Sequence, residues 1–519
     1  MGVKKKYAEV VKEVEAENYE IALKLLYKMR SHEKDFYYIE AGIFHSLKNQ
    51  LKEYLSLKKL LPLMPRSSPE DKKDYETALQ QISVCCSQLG LVDECLKLQR
   101  RVINTTKDIA TFRDVISYSC FIINAKEDTS VADFQDLYKK YRSSFKFTPF
   151  PRKFYEHDKI RVGFLSGDFY NHVVMKWSCR LITELDKNLF ETYCYSSNKM
   201  KDQITKRLIS KIDSWQEIYD LTDEEAAKLI QDDEIDILFD LSGHTGYNRL
   251  GVMAYRPATV QISGIGFSSS TGLKTVDYFL TDEYCVGNSA PYFTENLIAM
   301  SHSHVCYTLF SEVETKRATE PPCLKNGYVT FGCFNQYRKI TDSILITWKK
   351  ILDAVPNSRL LLKNHIIKLD GGKEFVSKRL KRFGIDLKRV ELRGFSEEHP
   401  LDYNDMDIAL DTFPYTGVTT TTEALLMGVP VISLYGDRHA TRCGLSILNN
   451  VGLNELAVDS YDEYVKRAVL LAGDWDLIAI LKKNLQTMFE KSPLMDYASY
   501  IKEIEQAFIE VLNAERNRQ

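Results

Sequence analysis

Through roughly the first 145 residues, apolar positions recur every three or four places, the spacing that lines one face of a helix. Tyr19, Ala22, Leu23, Leu25 and Leu26 mark one such face. The pattern returns at Ile43, Phe44 and Leu47, and again at Leu55, Leu57, Leu60 and Leu61. The clearest unit runs from Ala78 to Val102, where Ser87-Gln88-Leu89-Gly90-Leu91 separates two helical stretches and Asp93-Glu94-Cys95-Leu96 opens the second. Beyond the Pro-rich, basic segment Phe147–Arg152 the period changes. Short apolar runs at Ile160–Leu165, Phe190–Ser196, Ile235–Leu241, Val260–Ser263 and Tyr278–Thr281 predict strands, with helices through Arg180 to Leu185 and over Ala226–Gln231. A polar break at residues 311–326 carries Pro321-Pro322, and the alternation then restarts. Strands are expected at Tyr328–Phe331, Arg359–Lys363, Val390–Leu392, Met406–Asp411 and Val429–Ser433, with helices at Ser343–Val355, Val376–Phe383 and Thr420–Met427.

Strands alternating with helices imply parallel sheets covered on both faces. The expected architecture is α/β, two doubly wound parallel-sheet domains behind an all-α region. The boundaries read as 1–145 for the helices, 146–310 and 325–495 for the two sheet domains, and 496–519 for a C-terminal helix. The Leu-Gly turn between amphipathic helices resembles a tetratricopeptide unit, without a strict 34-residue period. Such helices form either a groove for a protein partner or a dimer contact, or a cap on the domain behind them.

Composition narrows the function classes. Hydrophobic residues make up 44% and charged residues 27%, an ordinary globular balance, and the net charge of -3 gives no electrostatic reason to expect nucleic acid. No apolar run approaches a membrane span, and Asp, Glu and Lys interrupt the first 60 residues, so neither membrane insertion nor a signal peptide is expected. Lys6 occupies the place where a myristoylation motif needs Ser or Thr. A cytoplasmic protein with reduced thiols is the expectation. Its eleven cysteines form no C-x-x-C pair, so no zinc site or disulfide framework is read from them. His302 and His304 lack an evident third ligand, and no metal is expected.

The richest chemistry lies in Asp411–Pro430. A buried strand ends at Asp411, a Pro/Gly turn follows, and Thr419, Thr420, Thr421 and Thr422 open a helix after Gly417 and Val418. Thr420 followed by Glu423 has capping-box spacing. A helix N-terminus presents unpaired amides and a positive dipole end, which suits a diphosphate, and threonine hydroxyls add donors without bulk. Such a site needs no metal to neutralise the phosphates, and no credible D-x-D motif argues for one.

The strand–DTFPY–TG–TTTTEAL–MGVPV pattern resembles the nucleotide-binding signature of the protein O-GlcNAc transferase/SPINDLY family, glycosyltransferase family 41. The likeness runs from about Ile160 to about Leu471 and includes Gly436–Ser446. It implies the GT-B fold, two facing sheet domains, and a diphosphate held by the threonines. Phe334-Asn335-Gln336-Tyr337-Arg338-Lys339-Ile340 is similar to the family's F-N-Q-x-x-K-I motif, which implies Gln336 near the nucleotide and Lys339 on the diphosphate. Glu397-Glu398-His399 matches its E-E-H segment, implying His399 against the nucleobase. Gly417 and Glu423 complete the implied donor site.

Ser166-Gly167-Asp168-Phe169-Tyr170-Asn171-His172 and Leu241-Ser242-Gly243-His244-Thr245-Gly246 resemble two further family motifs, each following a strand. Transfer to a hydroxyl needs a proton acceptor, and histidine suits that at neutral pH. His244 is taken as the likelier base or acceptor-positioning group, with His172 beside it, and Asp168 fixes a neighbouring loop. The resemblance implies an inverting, metal-independent transfer, foremost of GlcNAc from UDP-GlcNAc to Ser/Thr of a protein acceptor. The alternatives are UDP-glucose or GDP-fucose as donor, Asn as acceptor, or an inactive helical-repeat scaffold. Val418 stands where animal O-GlcNAc transferases carry His, which resembles the SPINDLY/bacterial branch and leaves the sugar open. A homodimer through the helical region is one reading of its partners.

Overall fold

A computed structural model describes residues 5–310, 317–396 and 399–518. Two parallel sheets organise it. The first contains β1 (Ile160–Ser166), β2 (Phe190–Ser196), β3 (Ser214–Glu217), β4 (Ile237–Asp240), β5 (Val260–Ser263), β6 (Tyr278–Asp282) and β7 (Asn296–Met300), in the order β3-β2-β1-β4-β5-β6-β7. The second contains β8 (Thr330–Cys333), β9 (Arg359–Lys363), β10 (Val390–Arg393), β11 (Ile408–Leu410), β12 (Val431–Leu434) and β13 (Ala457–Val458), in the order β10-β9-β8-β11-β12-β13. The two orders share one plan: the chain moves outward in one direction, then returns to the middle and moves outward in the other. Ligands of such sheets bind beyond the carboxyl ends of the strands where the direction reverses. In the first sheet that point lies between β1 and β4.

The expected strands are present to within a few residues at their ends. Three edge strands, β3, β7 and β13, were not legible. Ser214–Glu217 is polar and half-exposed, Asn296–Met300 is largely outside the core, and Ala457–Val458 is two residues long. An edge strand faces water along one side and needs no apolar run to be stable.

By compactness the described chain forms two units. One takes residues 1–126, 333–352 and 359–397. In it, the helices Lys34–Ser46, Gln50–Leu60, Pro69–Gln88, Val92–Thr105 and Ile109–Ile122 pack in sequence, as the apolar spacing required. Ser68 and Asp71 close a capping box at the start of Pro69–Gln88. The break at Gly90 is a left-handed turn, φ +73°. A Cβ there would lie 3.2 Å from the Tyr337 ring, so glycine serves both the turn and the close approach. Arg338 lies 5.3 Å above the Phe121 ring. The helices therefore brace the loop that carries Gln336 and Lys339.

The other unit takes residues 127–332, 353–358 and 398–519. Its largest apolar cluster joins the first sheet to the C-terminal helix Tyr497–Arg516, through Phe190, Phe239 and Ile262 on the strands and Ile504, Phe508 and Leu512 on the helix. That helix completes the first domain's core rather than trailing from it. Arg152, in the Pro-rich segment, pairs with Asp277 and with Glu515 of the helix. Phe239 is fully buried between the rings of Phe164 and Phe508, each 6.2 Å away. Phe239→Ala should lower the unfolding free energy by about 3–5 kcal/mol in urea titration.

Candidate active site

The buried carboxylate of Asp411 shapes the loop after β11. One oxygen accepts from the Thr412 and Gly417 amides, both at 2.8 Å, and the other from the Ser433 hydroxyl at 2.7 Å. Tyr464 donates to the Asp411 carbonyl at 2.8 Å. A Cβ on Gly417 would come within 2.5 Å of the Thr420 hydroxyl and 2.7 Å of the Thr421 hydroxyl. Two hydroxyls thus converge on a bare backbone, leaving a small polar cradle.

The helix Thr419–Leu426 begins at that cradle. Its flanking residue is Val418, and no side chain caps it, so the capping box suggested by Thr420 and Glu423 does not form. Both lie inside the helix, two residues too far along to act as cap and third position. The threonines divide: Thr419 and Thr420 are half-buried, Thr421 is buried, and Thr422 is fully buried. An uncapped first turn flanked by hydroxyls is suited to an anion.

Glu423 is nearly buried and ionised. Burial works against its charge, but His399 at 3.3 Å and Lys176 at 3.2 Å hold its carboxyl below the usual range. Glu423 therefore anchors His399 and Lys176 from beneath the first turn. Glu397 and Glu398 of the same motif lie outside the described residues. His399 packs edge-on to Tyr403, with ring centres 5.7 Å apart, and Tyr403 donates to the Thr420 carbonyl at 3.2 Å.

Two contributors escaped sequence reading. The Trp177 indole N–H donates to the Thr419 hydroxyl at 3.1 Å, and Lys176 is its neighbour. Both sit on the helix Val173–Thr183, which starts directly after the Ser166–His172 motif. Their spacing from His172, five residues for Trp177, was available, but nothing in it announces a tryptophan as a hydroxyl donor. The helix carries its own N-terminus, where His172 sits, about 7 Å along the axis from Trp177. It thereby brings the first sheet's switch-point loop toward the threonine turn.

At that switch point Ser166 and Ser242 hydroxyls lie 3.4 Å apart, joining the loops after β1 and β4. His172 is the flanking residue of its helix; its Nδ1 lies 3.4 Å from the Val174 amide and 3.5 Å from the Asp168 carboxylate. Burial pushes the Asp168 carboxyl up, with His172 opposing. The His172 side chain keeps 34% of its surface exposed. His244 is different. It is buried, its Nε2–H donates to the Thr271 carbonyl at 3.0 Å, and Tyr141 and Phe267 meet its ring edge-to-face. Burial lowers its pKa to about 4. Of the two histidines, His172 is the one whose ring reaches solvent, and His244 is packed inside the fold.

In the other unit, Gln336 is exposed and Lys339 half-buried, on a single 3-10 turn after β8. Sequence reading left the cysteines as isolated thiols, and all eleven are free and buried. His302 is exposed, so the His302/His304 pair does not form a joint site. His304 instead meets Asp282 at 2.5 Å, inside a buried group with Cys285, His439 and Cys443. These residues are too far apart in sequence for any spacing rule to gather them.

A pH consequence follows for His244. Its folded pKa lies below the ordinary histidine value, so the unfolded chain binds more protons between about pH 6.5 and about 4. Its contribution is complete above that window and is lost as pH falls through it. In His244→Gln, the slope of unfolding free energy against pH over this range should flatten, measured by urea melts at successive pH values.

Sequence and structure comparisons agree with this layout. The family described as Glycosyl transferase family 41 matches residues 136–308 and 315–504. The chain is 36% identical over 383 residues to the probable UDP-N-acetylglucosamine–peptide N-acetylglucosaminyltransferase SPINDLY of Solanum lycopersicum, covering 72% of this chain and 40% of that one. It is 38% identical over 357 residues to the protein of the same description from Arabidopsis thaliana, covering 67% and 39%. The chain therefore spans about two fifths of the length of the curated relatives it matches. A solved structure of a Thermobaculum terrenum O-GlcNAc transferase mutant aligns with a TM-score of 0.83 at 25% identity, over 99% of this chain and 98% of that one. With two parallel sheets of the GT-B class and a family match spanning both, this chain belongs to glycosyl transferase family 41.

Proposed function

We propose that this chain is an inverting protein glycosyltransferase that moves a sugar, foremost GlcNAc from UDP-GlcNAc, onto Ser/Thr hydroxyls of a protein acceptor. The observation that carries the reading is the uncapped first turn at Thr419, with the Thr420 and Thr421 hydroxyls converging on Gly417. That arrangement supports a diphosphate held by helix amides and hydroxyls, with no metal in the chemical step. The description of the SPINDLY relatives as probable UDP-N-acetylglucosamine–peptide N-acetylglucosaminyltransferases supports UDP-GlcNAc as donor. The identity to those relatives, 36–38%, exceeds the 28% to the Arabidopsis thaliana relative described as SEC, in keeping with Val418 and the SPINDLY-like branch.

In the proposed step the acceptor oxygen attacks the anomeric carbon as the carbon–oxygen bond to the diphosphate breaks. The acceptor's proton passes to His172, whose ring reaches solvent and whose Nδ1 lies beside Asp168. The nucleoside diphosphate leaves with the bonding pair. Its growing charge is met by the Thr419–Thr421 turn and by Lys339, groups worth more to the transition state than to the ground state. Gln336 and His399 orient the nucleotide, and Glu423 fixes His399. The protein acts in the cytoplasm, and the N-terminal helices guide the polypeptide acceptor.

Lys339→Ala should reduce kcat by about 100- to 1,000-fold with an unchanged melting temperature; unaltered turnover would remove Lys339 from the chemistry. Calorimetry with UDP and GDP on the parent chain separates the donor classes. Binding of UDP is expected, and Gly417→Val should abolish it by filling the cradle. Preference for GDP would instead favour fucose. No sugar on any co-expressed protein, read by mass spectrometry with each donor, would leave only the inactive scaffold.

A further inference from the structure

A second constellation lies apart from the threonine turn. Asp282 ends β6, and the next turn carries Cys285. His304 follows β7, and His439 and Cys443 flank the start of the helix Cys443–Val451. All five side chains are buried. The ligand-capable atoms of Cys285, His439 and Cys443 lie within 4.8 Å of one another, as do those of Asp282, Cys285 and His304.

Two features of this cluster are unlike ordinary packing. Both ring nitrogens of His439 are buried without a well-formed hydrogen bond, between Phe279, Phe293 and the His304 ring, and the polar group the ring meets is the Cys443 thiol. An imidazole placed so leaves at least one ring nitrogen unsatisfied in a site that water does not reach. His304, in turn, is oriented from behind: Asp282 takes its Nδ1 at 2.5 Å and also accepts from Ser446 Oγ and the Cys285 amide, both at 2.8 Å. A carboxylate on one ring nitrogen of a histidine frees the other nitrogen as a metal ligand and fixes its tautomer.

The geometry points to a structural zinc site with the thiolates of Cys285 and Cys443 and the imidazoles of His439 and His304 as ligands, and Asp282 as the outer carboxylate. Tetrahedral zinc with bonds of about 2.0–2.3 Å sets its ligand atoms about 3.3–3.8 Å apart. The atoms of Cys285, His439 and Cys443, and separately those of Cys285 and His304, lie within 4.8 Å, so each set must close by about 1–1.5 Å to hold the ion. Two thiolates balance the charge of the dication, and binding releases the two thiol protons to solvent. Coordination gives His439 a partner for one nitrogen. Four protein ligands close the coordination sphere, so the metal supplies no open position for substrate and takes no part in sugar transfer. It would instead pin the end of β6 and the segment after β7 to the helix at Cys443.

Metal analysis of the full chain tests this. After expression in zinc-supplemented medium and purification without chelator, about one equivalent of zinc per chain is expected by plasma mass spectrometry, falling to near zero in Cys443→Ala and Cys285→Ala. Because these variants can also lose their fold, the parent chain is reconstituted with cobalt. Thiolate-to-cobalt charge transfer in the near ultraviolet and strong visible bands of tetrahedral cobalt are the expected spectrum. Less than about a tenth of an equivalent of zinc after zinc dialysis, or cobalt without thiolate bands, overturns the site. So does a Cys285–Cys443 disulfide found by non-reducing peptide mapping.

Discussion

A carboxylate buried at the end of a strand organises the loop beyond it in each of the two sheets. In the second sheet, Asp411 gathers the Thr412 and Gly417 amides and the Ser433 hydroxyl of the adjacent strand β12. In the first sheet, Asp240 does the same for the Ser242 and Gly243 amides and for Ser263 of the adjacent strand β5. Burial pushes the Asp240 carboxyl up while these three donors oppose the shift. Each aspartate ends or follows the strand next to the sheet's first strand, and each bends the loop beyond it. Charge-assisted hydrogen bonds of this kind are short and strong, and they fix backbone where no regular element can. Everything placed on those loops, including the threonine turn and the Ser242–His244 segment, inherits its position from them.

Upon that frame the two motifs of greatest interest come together through a helix neither of them contains. Trp177 and Lys176 hold the threonine helix, by its first hydroxyl and by Glu423. His172 begins the same helix that carries them. The separation of His172 from the Thr419 turn is therefore set by a helix instead of by loops. Preorganisation of this sort is what transfer chemistry needs, since a misplaced base forfeits most of its effect.

Much of this was legible in the residues. Apolar runs of four to seven, such as Ile160–Leu165, gave the inner strands, because strands covered on both faces cannot afford polar residues. The threonine run after Gly417 marked a tight turn into a helix, and the Thr420 and Thr421 hydroxyls close on the bare Gly417 backbone. The edge strands β3 and β13 stayed hidden because one is polar and the other only two residues long. The different settings of His172 and His244 could not be read either: both follow a strand and a glycine, and only burial under Tyr141 and Phe267 separates a solvent-reaching ring from a packed one. The Asp282–Cys443 cluster was invisible for a simpler reason. Its members lie up to about 160 residues apart and meet only in the folded chain.

Tyr337 resting on the Gly90 turn has a bearing on how such proteins diversify. A helical array that merely trailed from a catalytic body could be lengthened, shortened or exchanged at will. Here the last loop before Lys339 is seated against that array, in a socket only glycine leaves open. Any lineage that trades its helices for others must carry over this one turn, or rebuild the seat beneath its own lysine.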